Sequence, residues 1–371
     1  MTKRIALVIP ALLALTAAAS AQSGTPSKAW ELLREIVLVP GVSGHEGPVA
    51  DFIQKTLPAG LKAERDAMHN VWFTVGSGSP HILFVAHVDE LGWIVDKITP
   101  AGRLRVKPGG GVLPQTVEAR PVLVHTARGP VAGIVAPRPG YDERRQPQVE
   151  ESETPFTAES FEIYLGVATE AEARELGVAE GDPVTAKKTM TDFAPGLIAT
   201  RAVDDRAGCA ALLDAALRLK PETVKGKTVT FAWDVQEETG LFGAAELAKT
   251  IKPDYVFAID TFVSTDSPLE SKRLAYLPVG KGAVIRAVDS SNVTPKTMIL
   301  RVLALAKKRG IPVQIGNSRG GNDGSVFLAG GAVDIPLSWP GSYAHSLIEK
   351  IDRRDLEALS DLILAIIAEW K

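Results

Sequence analysis

Short apolar runs alternate along the chain with longer segments in which apolar residues recur at helical spacing. Three runs are almost unbroken, as is typical of strands buried on both faces of a sheet, and they cover residues 81–87, 227–233 and 255–259. Helical spacing predicts helices over residues 26–38, 206–219, 241–251, 295–309 and 352–370. Strands that alternate with helices predict an α/β fold, in which a mostly parallel sheet is flanked by helices.

The pattern changes between residues 97 and 197, where short Val-rich pieces are separated by Gly and Pro. This composition predicts a small β-barrel domain that is inserted into the α/β domain. The α/β domain is then split into residues 22–96 and 198–371. Within the insert, the polar stretch 137–157 is rich in charged residues and is predicted to be an exposed loop.

Residues 1–21 have the pattern of a secretory signal peptide. Lys3 and Arg4 precede an apolar stretch, and the small residues Ala19 and Ala21 stand where a signal peptidase cleaves. The apolar stretch is too short and too rich in Ala to span a bilayer comfortably. We therefore expect an exported protein, periplasmic or secreted, with no stable membrane anchor.

Composition and charge narrow the chemistry that the chain performs. Of its 371 residues, 45% are hydrophobic and 23% are charged, which excludes a wholly disordered or collagen-like chain. The formal net charge is −3 and no basic block is present, so nucleic acid is not an expected partner. The single cysteine, Cys209, excludes a disulfide framework and a multi-thiolate zinc site. Any bound metal must therefore be held by oxygen and imidazole ligands.

Several residues of the metal-ligand type stand where predicted strands end or helices begin. In chain order they are His87 with Asp89, Asp204 with Asp205, Glu237 with Glu238, Asp260 at the close of the run 255–259, and His345 in a polar loop. Taken singly, each has a structural explanation, such as a hydrogen-bonded core histidine, a helix cap or a solvated turn. Ligands gather at the carboxyl ends of strands in an open α/β sheet, however, so these side chains are expected to converge. Paired carboxylates are costly to bury without cations, and two His with several carboxylates suit Zn²⁺, Co²⁺ or Mn²⁺.

Five short motifs in order resemble a known family. They are His-Val-Asp-Glu-Leu-Gly (87–92), Val-Asp-Asp-Arg-Ala-Gly (203–208), Gln-Glu-Glu-Thr-Gly (236–240), Ala-Ile-Asp (258–260) and His-Ser (345–346). This order is similar to that of the tetrahedral, or glutamyl-type, aminopeptidases of metallopeptidase family forty-two. The resemblance covers nearly the whole chain after residue 21 and implies a phosphorylase/hydrolase-like two-metal peptidase fold.

The resemblance also implies roles for the candidate residues. Two divalent ions, zinc first and cobalt or manganese as alternatives, would be held by His87, Asp204, Glu238, Asp260 and His345. Asp204 would bridge the two ions, with Glu238 and His345 completing one site and His87 and Asp260 the other. The peptide bond between Asp204 and Asp205 is expected to be cis.

The remaining candidates would serve the reaction or the substrate. Glu237 would be the general base, and Asp89 would hold His87 in the right tautomer, a role that the spacing of these two residues supports independently. Asp205, Asp323 and Tyr343 are candidates for supporting the site or contacting the substrate. For Asp323, contact with a substrate amine and support of its loop are both open.

We therefore predict an exported di-metal aminopeptidase that acts on peptides. One alternative is another metal-dependent amidohydrolase on the same scaffold, such as a deacylase or a carboxypeptidase. A second is a non-catalytic peptide-binding relative. The resemblance further implies a homo-oligomer, from a dimer to a twelve-subunit tetrahedral shell built through the inserted β domain.

Overall fold

The computed structural model describes residues 27–136, 161–264 and 277–371. The predicted signal peptide at 1–21 and the predicted loop at 137–157 lie outside the described residues. None of the helices in the described ranges has the length and apolar character needed to span a bilayer.

The helices predicted from apolar spacing are present, with ends that differ by a few residues. The α-helices of the described residues are α1 (Lys28–Ile36), α2 (Gly47–Thr56), α3 (Glu170–Glu175), α4 (Val203–Leu217), α5 (Phe242–Thr250), α6 (Lys296–Arg309) and α7 (Arg353–Glu369). At the start of α7, the Asp352 side chain accepts a hydrogen bond from the Arg354 N–H, as its position in the sequence predicts. Helix α2 was not predicted. Only three of its residues are buried, Val49, Ala50 and Ile53, so its apolar pattern is short.

The strands are more numerous than the apolar runs. They are β1 (Glu64–Arg65), β2 (Val71–His87), β3 (Gly92–Ile98), β4 (Leu104–Gly109), β5 (Pro121–Thr126), β6 (Gly129–Val135), β7 (Glu162–Tyr164), β8 (Pro183–Ala186), β9 (Thr191–Ala194), β10 (Leu197–Thr200), β11 (Lys225–Asp234), β12 (Tyr255–Val263), β13 (Ala283–Val288), β14 (Val313–Asn317), β15 (Val333–Asp334), β16 (Leu337–Gly341) and β17 (Glu349–Asp352).

Eight of these strands form the central sheet, in the order β1-β2-β12-β16-β13-β14, with β11 paired to β2 and β15 paired to β12. Most pairs are parallel, and β16 with β13 and β1 with β2 are antiparallel. The predicted α/β fold with a mostly parallel sheet is confirmed. β2 is longer than the predicted run because it contains two segments that pair with β11: residues 71–76 run antiparallel to it and residues 81–87 run parallel to it. Gly76 and Gly78, with φ values of 75° and 120°, lie where the chain turns between them. Val229 of β11 consequently lies opposite both Val75 and Ile82.

Helices cover both faces of this sheet. Ile82 and Phe84 lie in a core that includes buried residues of α1, α4 and α7. Leu83 and Val85, the alternate residues, lie in a second core with residues of α5. Both faces of the 81–87 segment are therefore buried, which explains its unbroken apolar character.

The predicted small β-barrel is confirmed as a closed barrel of six strands in the order β3-β4-β7-β6-β5-β8. Its own core contains Trp93 and Phe161, whose ring centres are 5.5 Å apart in an edge-on arrangement. β9 and β10 are not part of the barrel, because β10 pairs with β17 of the α/β part. The domain boundaries at residues 97 and 197 stay predictions.

A buried ion cluster holds the barrel against the α/β part. Glu90, on the chain entering the barrel, is fully buried, and its Oε1 accepts hydrogen bonds from Gly41 N–H at 2.9 Å and from Lys188 Nζ at 3.0 Å. Its Oε2 lies 3.1 Å from Nη2 of Arg201. Burial by itself would raise the pKa of Glu90, but the charges of these cations lower it to about 2. The cluster therefore fixes the barrel beside the edge of the sheet where the candidate ligands lie.

Candidate metal centre

Side chains from segments distant in sequence meet at the carboxyl ends of the parallel strands. They come from the end of β2, the start of α4, the turn after β11, strand β12 and the loop after β16. In that order they are His87, Asp204, Glu237 with Glu238, Asp260 and His345. The α/β topology explains this convergence, because parallel strands all end at the same edge of the sheet.

The prediction that Asp260 closes its strand is wrong. β12 continues to Val263, and residues 261–263 pair in register with residues 339–341 of β16. Thr261 and Val263 are β-branched and fit an extended strand. The Asp260 side chain nevertheless reaches the other candidate ligands.

Asp204 lies between the two histidines, with one carboxylate oxygen facing each. Its Oδ1 lies 3.5 Å from Nε2 of His87, and its Oδ2 lies 3.8 Å from Nε2 of His345. Oδ1 of Asp260 is 3.9 Å from Nε2 of His87, and Oε2 of Glu238 is 3.8 Å from Nε2 of His345. In each of three groups, the ligand atoms lie within 4.8 Å of one another. Two of the groups share Asp204, and they are His87 with Asp204 and Asp260, and Asp204 with Glu238 and His345. The third is His87 with Glu237 and Glu238.

These atoms have the spacing and the chemistry of metal ligands. Two atoms about 2.0–2.2 Å from one tetrahedral ion lie about 3.3–3.6 Å apart, so small side-chain shifts would bring each group onto an ion. Oδ1 of Asp204 and Oε1 of Glu238 are buried and accept no hydrogen bond from the described residues. Burial raises the pKa of Glu238 well above its ordinary value, and the charges of Asp204 and Glu237 raise it further. Bound cations would offset the free-energy cost of burying these carboxylates, and oxygen and imidazole are suitable ligands for divalent metals.

Asp89 supports the centre from behind His87. Its Oδ1 lies 3.2 Å from Nδ1 of His87, which leaves Nε2 of the imidazole facing Asp204. The same carboxylate accepts hydrogen bonds from the N–H groups of Glu237 at 3.0 Å and Glu238 at 3.2 Å, and from the Ser43 hydroxyl at 2.5 Å. Asp89 thus orients the histidine and also holds the turn that carries the two glutamates.

Glu349 connects the two chain segments that carry Asp204 and His345, and sequence analysis missed it. Its carboxylate accepts hydrogen bonds from the N–H groups of Val203 at 2.6 Å, Asp204 at 3.1 Å and His345 at 3.0 Å. The Asp204–Asp205 peptide bond at this point is cis, as the resemblance implies. No local signal identifies Glu349, because Asp204 is 145 residues away in sequence.

Arg286 is a second residue that the sequence did not reveal. It is 1% exposed, and its Nη2 lies 2.7 Å from Oδ2 of Asp260, the oxygen not directed at His87. Its Nε donates to Ser338 Oγ at 2.8 Å, and its Nη1 donates to the Gly321 carbonyl at 2.6 Å. The guanidinium therefore holds Oδ2 away from His87 and leaves Oδ1, which accepts a hydrogen bond from the Thr261 N–H at 2.6 Å, as the oxygen that faces His87.

Arg286→Met is expected to weaken metal binding by about 10–100-fold, as is typical when a residue that hydrogen-bonds a metal ligand is lost. The reason is that Asp260 would lose the partner of Oδ2 and its orientation. Calorimetric titration of the metal-free protein with Zn²⁺ or Co²⁺ measures the change.

Arg286→Lys is the matched variant, because it keeps the charge but loses the planar fork, and an intermediate affinity is expected. Thermal melting of both variants checks that they fold. Wild-type metal affinity in a folded Arg286→Met protein would show that Arg286 does not position Asp260.

The three remaining candidates occupy different surroundings. Asp205 is fully buried, and its Oδ1 accepts hydrogen bonds from Trp339 Nε1 at 2.9 Å and from Gly208 N–H at 3.1 Å, so it supports the start of α4. Asp323 is 1% exposed, and burial together with the charge of Asp234 raises its pKa well above the ordinary value. Tyr343 is half-buried and lines a cavity on the far side of the His345 loop.

Imidazoles and carboxylates gathered at the carboxyl ends of a parallel sheet form a donor set suited to divalent metals. Residues 70–362 match the model of the M42 glutamyl aminopeptidase family. The chain belongs to this family and is a peptidase of the metal-dependent aminopeptidase class.

Relatives and solved structures agree with this assignment. Lysyl aminopeptidase of Pyrococcus furiosus is 30% identical, over 92% of this chain and 97% of its own. Glutamyl aminopeptidase of Lactococcus lactis is 28% identical, over 85% of this chain and 89% of its own. The structure is similar to that of the TET1 peptidase of Pyrococcus horikoshii, which assembles into a tetrahedron or a large octahedral shell. That comparison has a TM-score of 0.84 and 34% identity, and covers 92% of this chain and 99% of the other.

Proposed function

We propose that the protein is a di-metal aminopeptidase that removes N-terminal residues from peptides. The observation that carries the proposal is the position of Asp204, whose two oxygens face the imidazoles of His87 and His345. A carboxylate shared in this way suits a pair of cations about 3.5–4 Å apart. The names of the relatives, lysyl and glutamyl aminopeptidase, support the N-terminal residue as the one removed.

Zinc is the proposed metal, with cobalt and manganese as alternatives. One ion would be held by His87, Asp204 and Asp260, and the other by Asp204, Glu238 and His345. When bound, such a pair of ions supplies an acidified water and polarises a carbonyl oxygen. The protein contributes the fixed positions of the ligands, through Asp89, Glu349 and Arg286.

Glu237 is the proposed general base. Its side chain is 15% exposed, and its Oε2 lies 4.0 Å from Nε2 of His87, beside both groups of ligand atoms. Burial raises the pKa of Glu237 well above its ordinary value, and the charges of Asp323 and Asp260 add to this effect. A carboxylate at this position would accept a proton from water and return it to the leaving amine. Glu237 and Glu238 therefore have different roles although they are adjacent.

The direct test is hydrolysis of a panel of aminoacyl anilides, together with metal analysis before and after chelation. We expect turnover only when the N-terminal amine is free, and about two divalent ions per chain. Chelation is expected to lower turnover by more than about 100-fold, since metal catalysis supplies several kcal/mol. Added Zn²⁺, Co²⁺ or Mn²⁺ should restore it.

The same panel separates the alternatives. Hydrolysis of an N-acetylated substrate without action on the free amine would indicate a deacylase, and release of C-terminal residues from peptides would indicate a carboxypeptidase. A metal-loaded protein that binds peptides without cleaving any substrate would be a non-catalytic relative. Absence of stoichiometric metal in protein purified without chelator would contradict the proposal as a whole.

A further inference from the structure

A cavity of about 540 Å³ lies between the barrel and the loop that carries His345. On the loop side it is lined by Tyr343, Ser346, Leu347 and Ile348. Ser346 and Leu347 also line a smaller space that contains Asp204 and His345. Residues 346–347, next to the candidate ligand His345, therefore contribute to the lining of both spaces.

The barrel supplies two cations to this cavity. Arg120 immediately precedes β5 and Lys187 immediately follows β8, and the Lys187 N–H donates to the Pro121 carbonyl at 2.9 Å. These neighbouring ladder positions place both exposed side chains at the same cavity. Within the described part of the chain, neither side chain forms a hydrogen bond or ion pair, and no lining residue is acidic.

The rest of the lining is mixed apolar and hydroxyl-bearing. Leu113 and Leu347 contribute apolar surface, Thr116 and Ser346 contribute hydroxyl groups, and Tyr343 contributes a ring. Such a cavity, with a few polar groups in an otherwise apolar lining, is typical of a small-ligand site. Two cations that have no partner among the described residues favour an anionic ligand, and a guanidinium binds a carboxylate through two parallel hydrogen bonds.

The loop that separates the two spaces is held in a defined position. The Leu113 N–H donates to the His345 carbonyl at 3.1 Å, and Ser342 and Lys350 exchange two backbone hydrogen bonds at the base of the loop. An extended peptide advances at most about 3.3–3.6 Å per residue, so each residue beyond the cleaved bond can place the carboxylate of the peptide that much farther from the metal centre. A peptide bound at the metal centre would enter the cavity by extending past this loop.

We propose that this cavity binds a carboxylate on the leaving part of the peptide substrate, through Arg120 and Lys187. The inference rests on the proposed aminopeptidase function and narrows its substrates to short, anionic peptides. The carboxylate has two sources in a peptide, the C-terminus and an acidic side chain beyond the cleaved bond. Both present the same chemistry to the two cations.

The test compares matched peptides with the metal-loaded enzyme. One pair is a tripeptide with a free or an amidated C-terminus, and the other is an amidated tripeptide with Glu or Gln at its third position. We expect kcat/KM to be on the order of tenfold higher for the anionic member of at least one pair, because a charge-assisted hydrogen bond stabilises the bound peptide by about that factor. The difference should lie mainly in KM. The pair that shows the difference identifies the source.

Arg120→Gln, Lys187→Gln and the double variant are measured with the same pairs. The readout is the ratio of kcat/KM within a pair, so a general loss of activity cancels. The double variant is expected to bring the ratio to about one, and Lys296→Gln, an exposed lysine on α6, is the matched control that keeps the wild-type ratio.

The outcomes separate this inference from the function on which it rests. Cleavage of all four peptides by the wild type with ratios near one would overturn the cavity assignment alone. An unchanged ratio in the double variant would do the same. Failure of the wild type to cleave any of the peptides would overturn the proposed function together with the inference.

Discussion

Glu237→Gln is expected to keep its metal ions and to lose nearly all turnover. The amide is nearly isosteric with the carboxylate, but it does not accept a proton from water at neutral pH. General-base catalysis contributes about 10²–10⁴-fold, which is the loss expected in kcat. The measurement is kcat for an aminoacyl anilide, with metal content determined on the same sample.

Glu222→Gln is the matched control, because Glu222 is exposed and lies next to the opposite end of β11 from Glu237. It should have the kcat of the wild type. If Glu237→Gln kept more than about a tenth of the wild-type rate, the general base would have to be another residue, since the expected factor is about 10²–10⁴. A variant that lost its metal would instead indicate that Glu237 is a ligand, which its position 4.0 Å from His87 makes a meaningful alternative.

Asp204→Asn is expected to lose both metal ions and the stability that they provide. The two oxygens of Asp204 face different histidines. The amide would replace one oxygen by a nitrogen that binds metals poorly and would leave the other without its negative charge, so both ions would lose a carboxylate ligand. A ligand present at 100 times its Kd stabilises the folded state by about 2.7 kcal/mol, and this gain should disappear. Metal analysis and melting temperatures with and without added Zn²⁺ measure the two effects.

His345→Ala distinguishes a bridging role from a general disturbance. His345 belongs to only one of the two groups of ligand atoms that share Asp204, so this variant should keep the ion held by His87 and Asp260. The expected metal contents are therefore about two ions in the wild type, one in His345→Ala and none in Asp204→Asn. Two ions retained in Asp204→Asn would contradict the bridging assignment.

Much of the central fold is predictable from apolar pattern alone. The run 81–87 is buried on both faces, with Phe84 stacked on Phe257 at 5.1 Å between ring centres, and this is why it contains almost no polar residue. The first half of β2 is not predictable in this way, because Gly76, Gly78 and Pro80 interrupt its pattern. It becomes a strand because β1 and β11 are available as partners.

In the candidate site, too, some features are predictable from local sequence and others depend on a neighbouring strand. His87 and Asp89 are two residues apart after a buried strand, and the predicted contact between them is present at 3.2 Å. Asp260 was expected to close its strand, but pairing with β16 extends β12 beyond it. Strand ends are set by the neighbouring strand as well as by local sequence, and a single apolar run contains no information about that neighbour.

The sequence by itself determined the chemistry of the donors: imidazole and carboxylate, without thiolate. The contacts that give those donors their roles depend on the tertiary structure. Only the fold directs one oxygen of Asp204 to each histidine, sets Arg286 on Asp260, and joins Asp204 to His345 through Glu349. The physical reason is that a residue's type and its local spacing are properties of the sequence, whereas contacts between distant segments depend on how sheet, helices and barrel pack.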